Sequence, residues 1–222
     1  MQAAEYFPFW NKLTDTQQKT LENSLSRGHF EAGDILHAGS ADCAGLFAIE
    51  RGRLRAYTLS GEGKELTLYR LLERDICLFS ASCIMSSIQF EIFIAAEEPT
   101  DAWRVPPEVY KALMEESAAV AGYTNELMAA RFSEVMWLMD QIMNRKLDSR
   151  LAALLLEESS LSGTEVLPLT HERVAAHLGS AREVVTRLLK YFQSEKLVRL
   201  ERGSITIVDP AGLTRLAGDS LR

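Results

Sequence analysis

The chain has 222 residues, of which 47% are hydrophobic and 25% charged, a composition typical of a soluble globular protein and not of a disordered or collagen-like chain. This length is sufficient for two domains. The longest uninterrupted apolar run, residues 151–156, is far shorter than the ~20 residues of a membrane-spanning helix. No secretory signal pattern opens the chain, and its three cysteines are too few for a disulfide scaffold. We therefore expect a cytoplasmic protein without membrane contact.

Charge is distributed unevenly along the chain, whose net charge is −7. Residues 1–147 contain 14 basic and 21 acidic side chains, whereas residues 148–222 contain 10 of each. Within the second part, residues 168–202 contain 7 basic and 4 acidic side chains, a net charge of +3. A local basic segment is compatible with nucleic-acid contact, although by itself it is more often a solvated surface.

The first part of the chain is predicted to contain a short helix followed by many β-strands. Thr14 and Gln17 have the spacing of a capping box, which starts a helix that ends near Ser24. From residue 30 to residue 105, glycine-containing turns separate short apolar or alternating runs at intervals of roughly 6 to 13 residues. Regular turns between short strands are typical of an antiparallel sandwich or barrel.

From residue 108 the apolar period changes to that of a helix. Five apolar residues follow one another at spacings of 4, 3, 4 and 3, which make a heptad seam: Met128, Phe132, Val135, Met139 and Ile142. The seam either packs on its own domain or joins two copies of the helix in a dimer. A helix of ~45 Å exceeds what a small sandwich covers, which favours the dimer. A break at residues 147–149 is predicted to precede another helix.

Residues 170–208 have the pattern of a winged helix-turn-helix. Thr170 is the predicted N-cap of a first short helix. A turn at residues 179–180 leads into a second helix over 181–193, and two alternating runs around Gly203 form a hairpin. The second helix of such a unit can lie in the major groove of DNA.

Polar residues of this unit are the predicted DNA contacts. Arg187 can donate two hydrogen bonds to guanine O6 and N7, and Glu183 can accept one from a cytosine amino group. Arg199 and Arg202 of the hairpin would contact the phosphate backbone. The complete predicted set is Thr170, Ser180, Arg182, Glu183, Thr186, Arg187, Lys190, Arg199 and Arg202.

Each feature has an alternative explanation. Ser180 and Glu183 also have the spacing of a capping box, which would occupy Glu183 with backbone amides. Arg187 could be a surface charge that pairs only with Glu183. His171 and His177 are interpreted as ordinary surface or helix residues. The joint pattern over these forty residues nevertheless favours DNA binding.

The sequence resembles the Crp/Fnr transcription regulators. Residues 179–190 (GSAREVVTRLLK) are similar to the recognition helix of that family, and residues 202–209 (RGSITIVD) to its wing. Residues 32–36 (AGDIL) and 46–55 (LFAIERGRLR) resemble the first strands of its cyclic-nucleotide-binding-type jelly roll. The resemblance therefore covers nearly the whole chain.

This resemblance implies an α+β protein in three parts. They are an antiparallel jelly-roll sensor domain at residues 1–107, a long dimerisation helix at 108–147 and a winged helix-turn-helix domain at 148–222. It implies a homodimer that binds an inverted repeat in double-stranded DNA and regulates transcription. RNA polymerase and an unidentified small-molecule or redox effector are further expected partners.

The resemblance also places the family's base-reading residues. Its Arg-Glu-x-x-x-Arg pattern falls on Arg182, Glu183 and Arg187. Its Glu-x-x-Ser-Arg variant falls on Glu183, Thr186 and Arg187, with threonine in place of serine. The type of half-site stays open between the two.

The sandwich is not expected to bind cyclic AMP or cyclic GMP. Nucleotide-binding members hold the phosphate with a Gly-Glu pair and a following arginine, but Leu78 and Phe79 stand at the corresponding place. No glycine occurs from residue 64 to residue 121, and no arginine between Arg74 and Arg104. A buried phosphate needs such groups. Binding of a different, more apolar ligand in the same cavity is the alternative that stays open.

Cysteine and histidine content limits the remaining cofactors. An iron-sulfur cluster needs four cysteine ligands, whereas this chain has Cys43, Cys77 and Cys83. Cys77 and Cys83 are a candidate thiol-disulfide switch, with two buried core cysteines as the alternative. His29 and His37 do not form the His-x-His pair of a metal-dependent cupin enzyme, and neither indicates haem. We expect no metal, iron-sulfur cluster or haem, and no enzymatic activity; a ligand-binding module whose tail contacts protein is the other alternative.

Overall fold

The computed structural model describes residues 3–39, 43–84 and 91–221. The chain divides into two compact units. The first consists of Met1–Thr58 and Leu68–Val135, and the second of Leu59–Thr67 and Met136–Arg222. Because the boundary falls inside the long central helix, the three-part division at residues 107 and 147 stays a prediction.

The first helix forms where its capping signal predicts. Helix α1, Asp15–Ser24, follows Thr14 as N-cap. The Gln17 backbone N–H donates to Thr14 Oγ1 at 3.3 Å, and the Thr14 N–H donates to Gln17 Oε1 at 3.1 Å. The predicted capping box is confirmed, and it satisfies two N–H groups that have no partner within the helix.

Two four-stranded antiparallel sheets follow. The strands are β1 (Ser26–Phe30), β2 (Ile35–Ala38), β3 (Leu46–Arg51), β4 (Leu54–Leu59), β5 (Glu65–Leu71), β6 (Ile76–Cys77), β7 (Phe93–Ala96) and β8 (Thr100–Val105). Their order is β1-β8-β3-β6 in one sheet and β2-β7-β4-β5 in the other. The predicted antiparallel sandwich is confirmed, although it begins at Ser26 rather than at residue 30.

The apolar run in β3 is explained by burial on both faces of its sheet. Phe47 and Ile49 belong to the core between the two sheets. Leu46 and Ala48 belong to a second cluster, formed with the N-terminal segments and helix α2 (Pro107–Glu116). Successive side chains of a strand point to opposite faces, so a strand covered on both sides is apolar throughout.

The cysteines differ from the sequence-based expectation. Cys43 is disulfide-bonded, whereas Cys77 is a free thiol that is only 1% exposed in the core between the sheets. A disulfide through Cys77 is thus not part of this structure, because its side chain faces the apolar interior. The side chain of Cys83 lies outside the described residues. The spacing of the cysteines along the chain could not predict which of them form a disulfide, because a disulfide depends on the distance between two cysteines in the folded protein.

Cys77 is expected to resist alkylation in the folded protein. Burial raises the pKa of its thiol, and only the thiolate reacts at an appreciable rate. Mass spectrometry after iodoacetamide treatment should show an unmodified Cys77 peptide under native conditions and a modified one in denaturant. Rapid modification of the native protein would contradict the buried position.

The central helical region contains two helices before the C-terminal part. Helix α2 ends at Glu116, Ser117 is extended, and helix α3 spans Ala118–Asn144. Helix α4 spans Leu147–Ser162 and begins after the extended Lys146. The break predicted at residues 147–149 is therefore wrong by two positions, because those residues form the first turn of α4.

The predicted seam of α3 lies in two environments. Met128 and Val135 pack against the apolar clusters of the first unit. Phe132, Met139 and Ile142 are 67%, 51% and 43% exposed. Helical periodicity alone cannot tell which apolar row packs on its own domain, because adjacent rows have the same spacing.

The exposed large apolar residues of α3 include three of the predicted seam, Phe132, Met139 and Ile142, and two outside it, Met136 and Met143. Phe132, Met136, Met139 and Met143 are all exposed and follow one another at spacings of 4, 3 and 4. We call these four residues the α3 stripe. Such spacing aligns side chains along one side of a helix, as in two-stranded coiled coils.

The C-terminal elements surround a third apolar cluster. The helices are α5 (His171–Leu178), α6 (Arg182–Ser194) and α7 (Pro210–Ala217), and the strands are β9 (Val166–Leu167), β10 (Val198–Glu201) and β11 (Ser204–Ile207). The predicted hairpin is β10 with β11, and β9 adds a third strand to the other edge of β11. Strand β9 was not predicted, because two residues carry no measurable periodicity.

The described ranges contain neither a membrane-spanning helix nor a metal-binding cluster. Each helix there is too short or too polar to span a membrane. In those same ranges, no three His, Cys, Asp or Glu side chains are grouped so that they could hold a metal ion.

Candidate DNA interface

Helix α5 is held at both ends by side chains. Thr170 is its N-cap, and the Thr170 Oγ1 accepts a hydrogen bond from the Arg173 N–H at 3.1 Å. At the other end Arg150 of α4 donates to the carbonyl oxygen of Leu178 at 2.9 Å. Gly179 follows with a φ of 65°, a left-handed conformation that favours glycine and turns the chain toward α6.

Helix α6 has one buried and one exposed face. Val185, Leu189 and Phe192 are completely buried in the C-terminal apolar cluster. The exposed residues include four charged ones: Arg182, Glu183, Arg187 and Lys190. The buried side chains fix the rotation of α6 about its axis, so the charged residues share the opposite face.

The alternative capping role of Glu183 is wrong. The N-cap of α6 is Ala181, without a side-chain hydrogen bond, and the helix begins at Arg182. Within the described residues, neither Glu183 nor Arg187 takes part in an ion pair. Arg182 lies 3.7 Å from Glu172, but both side chains are well exposed, so this pair contributes little to stability. The charged groups of α6 are therefore available to a partner.

The remaining predicted contacts lie around this helix. Thr170 is exposed and Ser180 and Thr186 are half-buried. Arg202 is exposed beside Gly203 at the tip of the β10–β11 hairpin. Arg199 is also exposed, and its Nε lies 3.1 Å from a carboxylate oxygen of Glu201 on the same strand.

The two histidines of α5 have roles that sequence analysis missed. His177 is buried, and its Nδ1 lies 2.9 Å from Thr67 Oγ1 in the same compact unit. His171 is half-buried, and its Nδ1 lies 2.9 Å from Thr186 Oγ1. No sequence signal pairs residues that are 15 positions apart on two helices; only the helix-turn-helix geometry brings them together.

Electrostatics keep His171 neutral at neutral pH. Burial lowers the pKa of its imidazole, and the positive charges of Arg182 and Lys190 lower it further. Both effects disfavour the protonated ring, because burial removes hydration and like charges repel. The ring therefore belongs to the electrostatic environment of the exposed face of α6.

Known proteins share this architecture. Residues 149–216 match the family model of the Crp-like helix-turn-helix domain. A solved structure from Eubacterium rectale, described as a transcriptional regulator of the Crp/Fnr family, has a TM-score of 0.94 and 56% identity and covers 96% of this chain and 98% of that one. A Crp/Fnr-family regulator from Thermus thermophilus has a TM-score of 0.70 and 25% identity, with 86% and 98% coverage.

Curated relatives agree with the structural neighbours. The transcriptional regulator SdrP of Thermus thermophilus is 29% identical over 204 residues, which cover 85% of this chain and 92% of that protein. The fumarate and nitrate reduction regulatory protein of Vibrio cholerae is 27% identical over 201 residues, with 86% and 75% coverage.

A sandwich, a long helix and a winged helix-turn-helix with a charged exposed helix face define a DNA-binding transcription regulator. The chain belongs to the Crp/Fnr family of transcription regulators. The predicted resemblance, fold class and function are confirmed. Regulators of this family bind DNA, act as dimers and are not enzymes.

Proposed function

We propose that this chain binds an inverted repeat in double-stranded DNA as a homodimer, with α6 of each protomer in a major groove. The observation that carries the proposal is the division of α6 into two faces. Arg182, Glu183, Arg187 and Lys190 are exposed, whereas the opposite face is buried in the core. A helix anchored in this way presents its charged side chains as a rigid row to the base edges and phosphates.

Base contacts are assigned by chemistry and position. Arg187 donates to guanine, and Glu183 accepts from a cytosine amino group. Thr186, which precedes Arg187 on α6 and lies beside the first turn of α5, also contacts a base. Arg182 and Lys190 suit either bases or phosphates, and the other predicted contacts serve the phosphate backbone: Thr170, Ser180, Arg199 and Arg202.

Dimerisation is assigned to the α3 stripe. Phe132 and Met143 are 67% and 69% exposed, and exposed rows of large apolar side chains often mark interaction surfaces. Pairing the stripe with its copy removes this surface from water, and a two-fold axis matches an inverted repeat. Ile142 borders the stripe, whereas Met128 and Val135 support it from the intramolecular side.

The sandwich is proposed to respond to something other than cyclic AMP. Leu78 and Phe79 fill apolar clusters where a phosphate cassette would be needed. Buried arginines are already paired: Arg131 donates to Glu134 at 2.8 Å, and Arg70 lies 3.1 Å from Glu97. A phosphate would have to displace these partners. No haem, iron-sulfur cluster or metal is part of the proposal.

The location, partners and effector of the protein are proposed on the same basis. The protein acts in the cytoplasm, has no enzymatic activity, and contacts RNA polymerase when bound to DNA. An unidentified small molecule or a redox change in the sandwich is its effector. The resemblance to transcription regulators supports each of these points.

The test is a selection from random duplex DNA with purified, reduced protein and no added ligand. We expect enrichment of an inverted repeat whose half-sites are one helical turn, ~34 Å, apart. If no sequence is enriched, the selection is repeated with cell extract, which supplies a missing effector. Failure under both conditions, or enrichment of single half-sites only, would contradict the proposal.

A further inference from the structure

The first turn of α5 is hydrogen-bonded to a half-buried residue of α6, Thr186. His171 is the first residue of α5, and its Nδ1 lies 2.9 Å from Thr186 Oγ1. Thr186 is one turn from both Arg182 and Lys190 on α6. The group that orients the Thr186 hydroxyl therefore comes from the neighbouring helix.

A threonine hydroxyl has one proton and two lone pairs. The hydrogen bond that Thr186 makes with His171 therefore limits whether its hydroxyl can donate a second hydrogen bond to DNA or accept one from it. If Nδ1 of His171 accepts, the Thr186 proton is used inside the protein, and the hydroxyl presents only lone pairs outward. If Nδ1 carries a proton, it donates to Thr186, and the threonine proton is free to point outward. Adenine and cytosine offer amino donors in the major groove, whereas guanine and thymine offer acceptors.

Charged groups around the ring of His171 decide whether its Nδ1 carries a proton. Arg182 and Lys190 of α6 lower the pKa of His171, in addition to burial. On α5 itself, Glu172 is engaged with Arg182. From α4, Arg150 is engaged at the far end of α5 with the Leu178 carbonyl. Two cations on α6 thus favour a ring that turns a lone pair, rather than a proton, toward that helix.

We propose that His171 sets the hydrogen-bonding polarity of Thr186 toward DNA: a neutral ring makes the hydroxyl an acceptor, and a protonated ring makes it a donor. His171 is then a positioning residue that determines specificity at one base pair of each half-site. At neutral pH the preferred base at that position carries an amino group, and at acidic pH it carries a carbonyl. This inference rests on the proposed function, because Thr186 must face a base.

The experiment is the DNA selection repeated at about pH 8 and at an acidic pH at which nitrogen NMR shows His171 to be protonated, because the pKa of this ring lies below that of an ordinary histidine. Wild type is compared with His171→Asn, which keeps a polar group near the Nδ1 position but does not titrate. His29→Gln is the matched control, because it removes a histidine from the sandwich instead. Thr186→Val removes the hydroxyl and keeps the shape of the side chain.

We expect the wild type and His29→Gln to change preference at one half-site position between the two pH values. The ratio of selected bases that carry an amino group to those that carry a carbonyl group should change by about five-fold at this position, which corresponds to the free energy of one hydrogen bond. His171→Asn should bind DNA with the same preference at both pH values. Thr186→Val should lose discrimination at that position alone.

Two results would overturn the inference in distinguishable ways. A fixed preference in the wild type that only Thr186→Val abolishes would mean that Thr186 reads a base without control by His171. A Thr186→Val variant with unchanged preference everywhere would refute the base contact in the proposed function as well. Independently of any variant, nitrogen NMR of the free wild type should find Nδ1 of His171 unprotonated near pH 7. A protonated Nδ1 there would also overturn the inference.

Discussion

Replacing Met139 with glutamate is expected to convert the protein into a monomer and to weaken binding to a full operator by about 100-fold or more. Met139 is 51% exposed in the middle of the α3 stripe. In a two-fold symmetric dimer, the introduced carboxylate would be buried near its own copy, so desolvation and like-charge repulsion both oppose association. Operator binding would then lose the gain that comes from linking two half-site contacts.

Ser133→Glu is the matched control for this change. Ser133 is exposed on α3 outside the stripe, so the same charge there should leave the dimer intact. Sedimentation measures the oligomeric state, and fluorescence anisotropy measures affinity for full and half operators. Both variants should bind a half operator like wild type. A Met139→Glu protein that remains dimeric and binds the full operator normally would show that the stripe is not the interface.

Replacing Arg187 with alanine is expected to cost about 1–3 kcal/mol of binding free energy in each half-site and to relax specificity at one base pair. The guanidinium is exposed on α6 and takes part in no ion pair within the described residues. It is therefore free to make two hydrogen bonds to guanine, and alanine removes both. The buried face of α6 does not include Arg187, so the fold should not change.

Arg215→Ala serves as the control for charge. Arg215 is an exposed arginine on α7, outside the predicted contacts. Competition of the selected operator against single base-pair variants measures specificity, and circular dichroism checks the fold. Arg187→Ala should discriminate less at one position, while Arg215→Ala should retain the wild-type pattern. Equal discrimination by all three proteins would refute the base-reading role of Arg187.

Local signals explain why the DNA-binding unit could be predicted well. The N-cap Thr170, the left-handed Gly179 and the spacing of Val185, Leu189 and Phe192 each act within a few residues of the chain. They fix where α5 and α6 begin or end and which side of α6 is buried. The charged face then follows, because a helix with one buried side exposes the other.

The same local reasoning failed at places where two segments meet. The periodicity of the predicted seam could not show that Met128 and Val135 pack against apolar clusters of the first unit, whereas Phe132, Met139 and Ile142 are exposed. Strand β9 forms only because β11 offers it an edge. The state of Cys43 and Cys77 depends on distances in the folded chain and not on their spacing along it.

By itself the sequence determined the antiparallel sandwich, the helix-turn-helix and the charged face of α6, because turn, cap and periodicity signals are local, and its resemblance to known regulators indicated the family. Only the tertiary structure decided which apolar row of α3 stays exposed, which cysteine is free, and that His171 holds Thr186. These depend on contacts between residues far apart in the chain, and such contacts form only when the elements have packed.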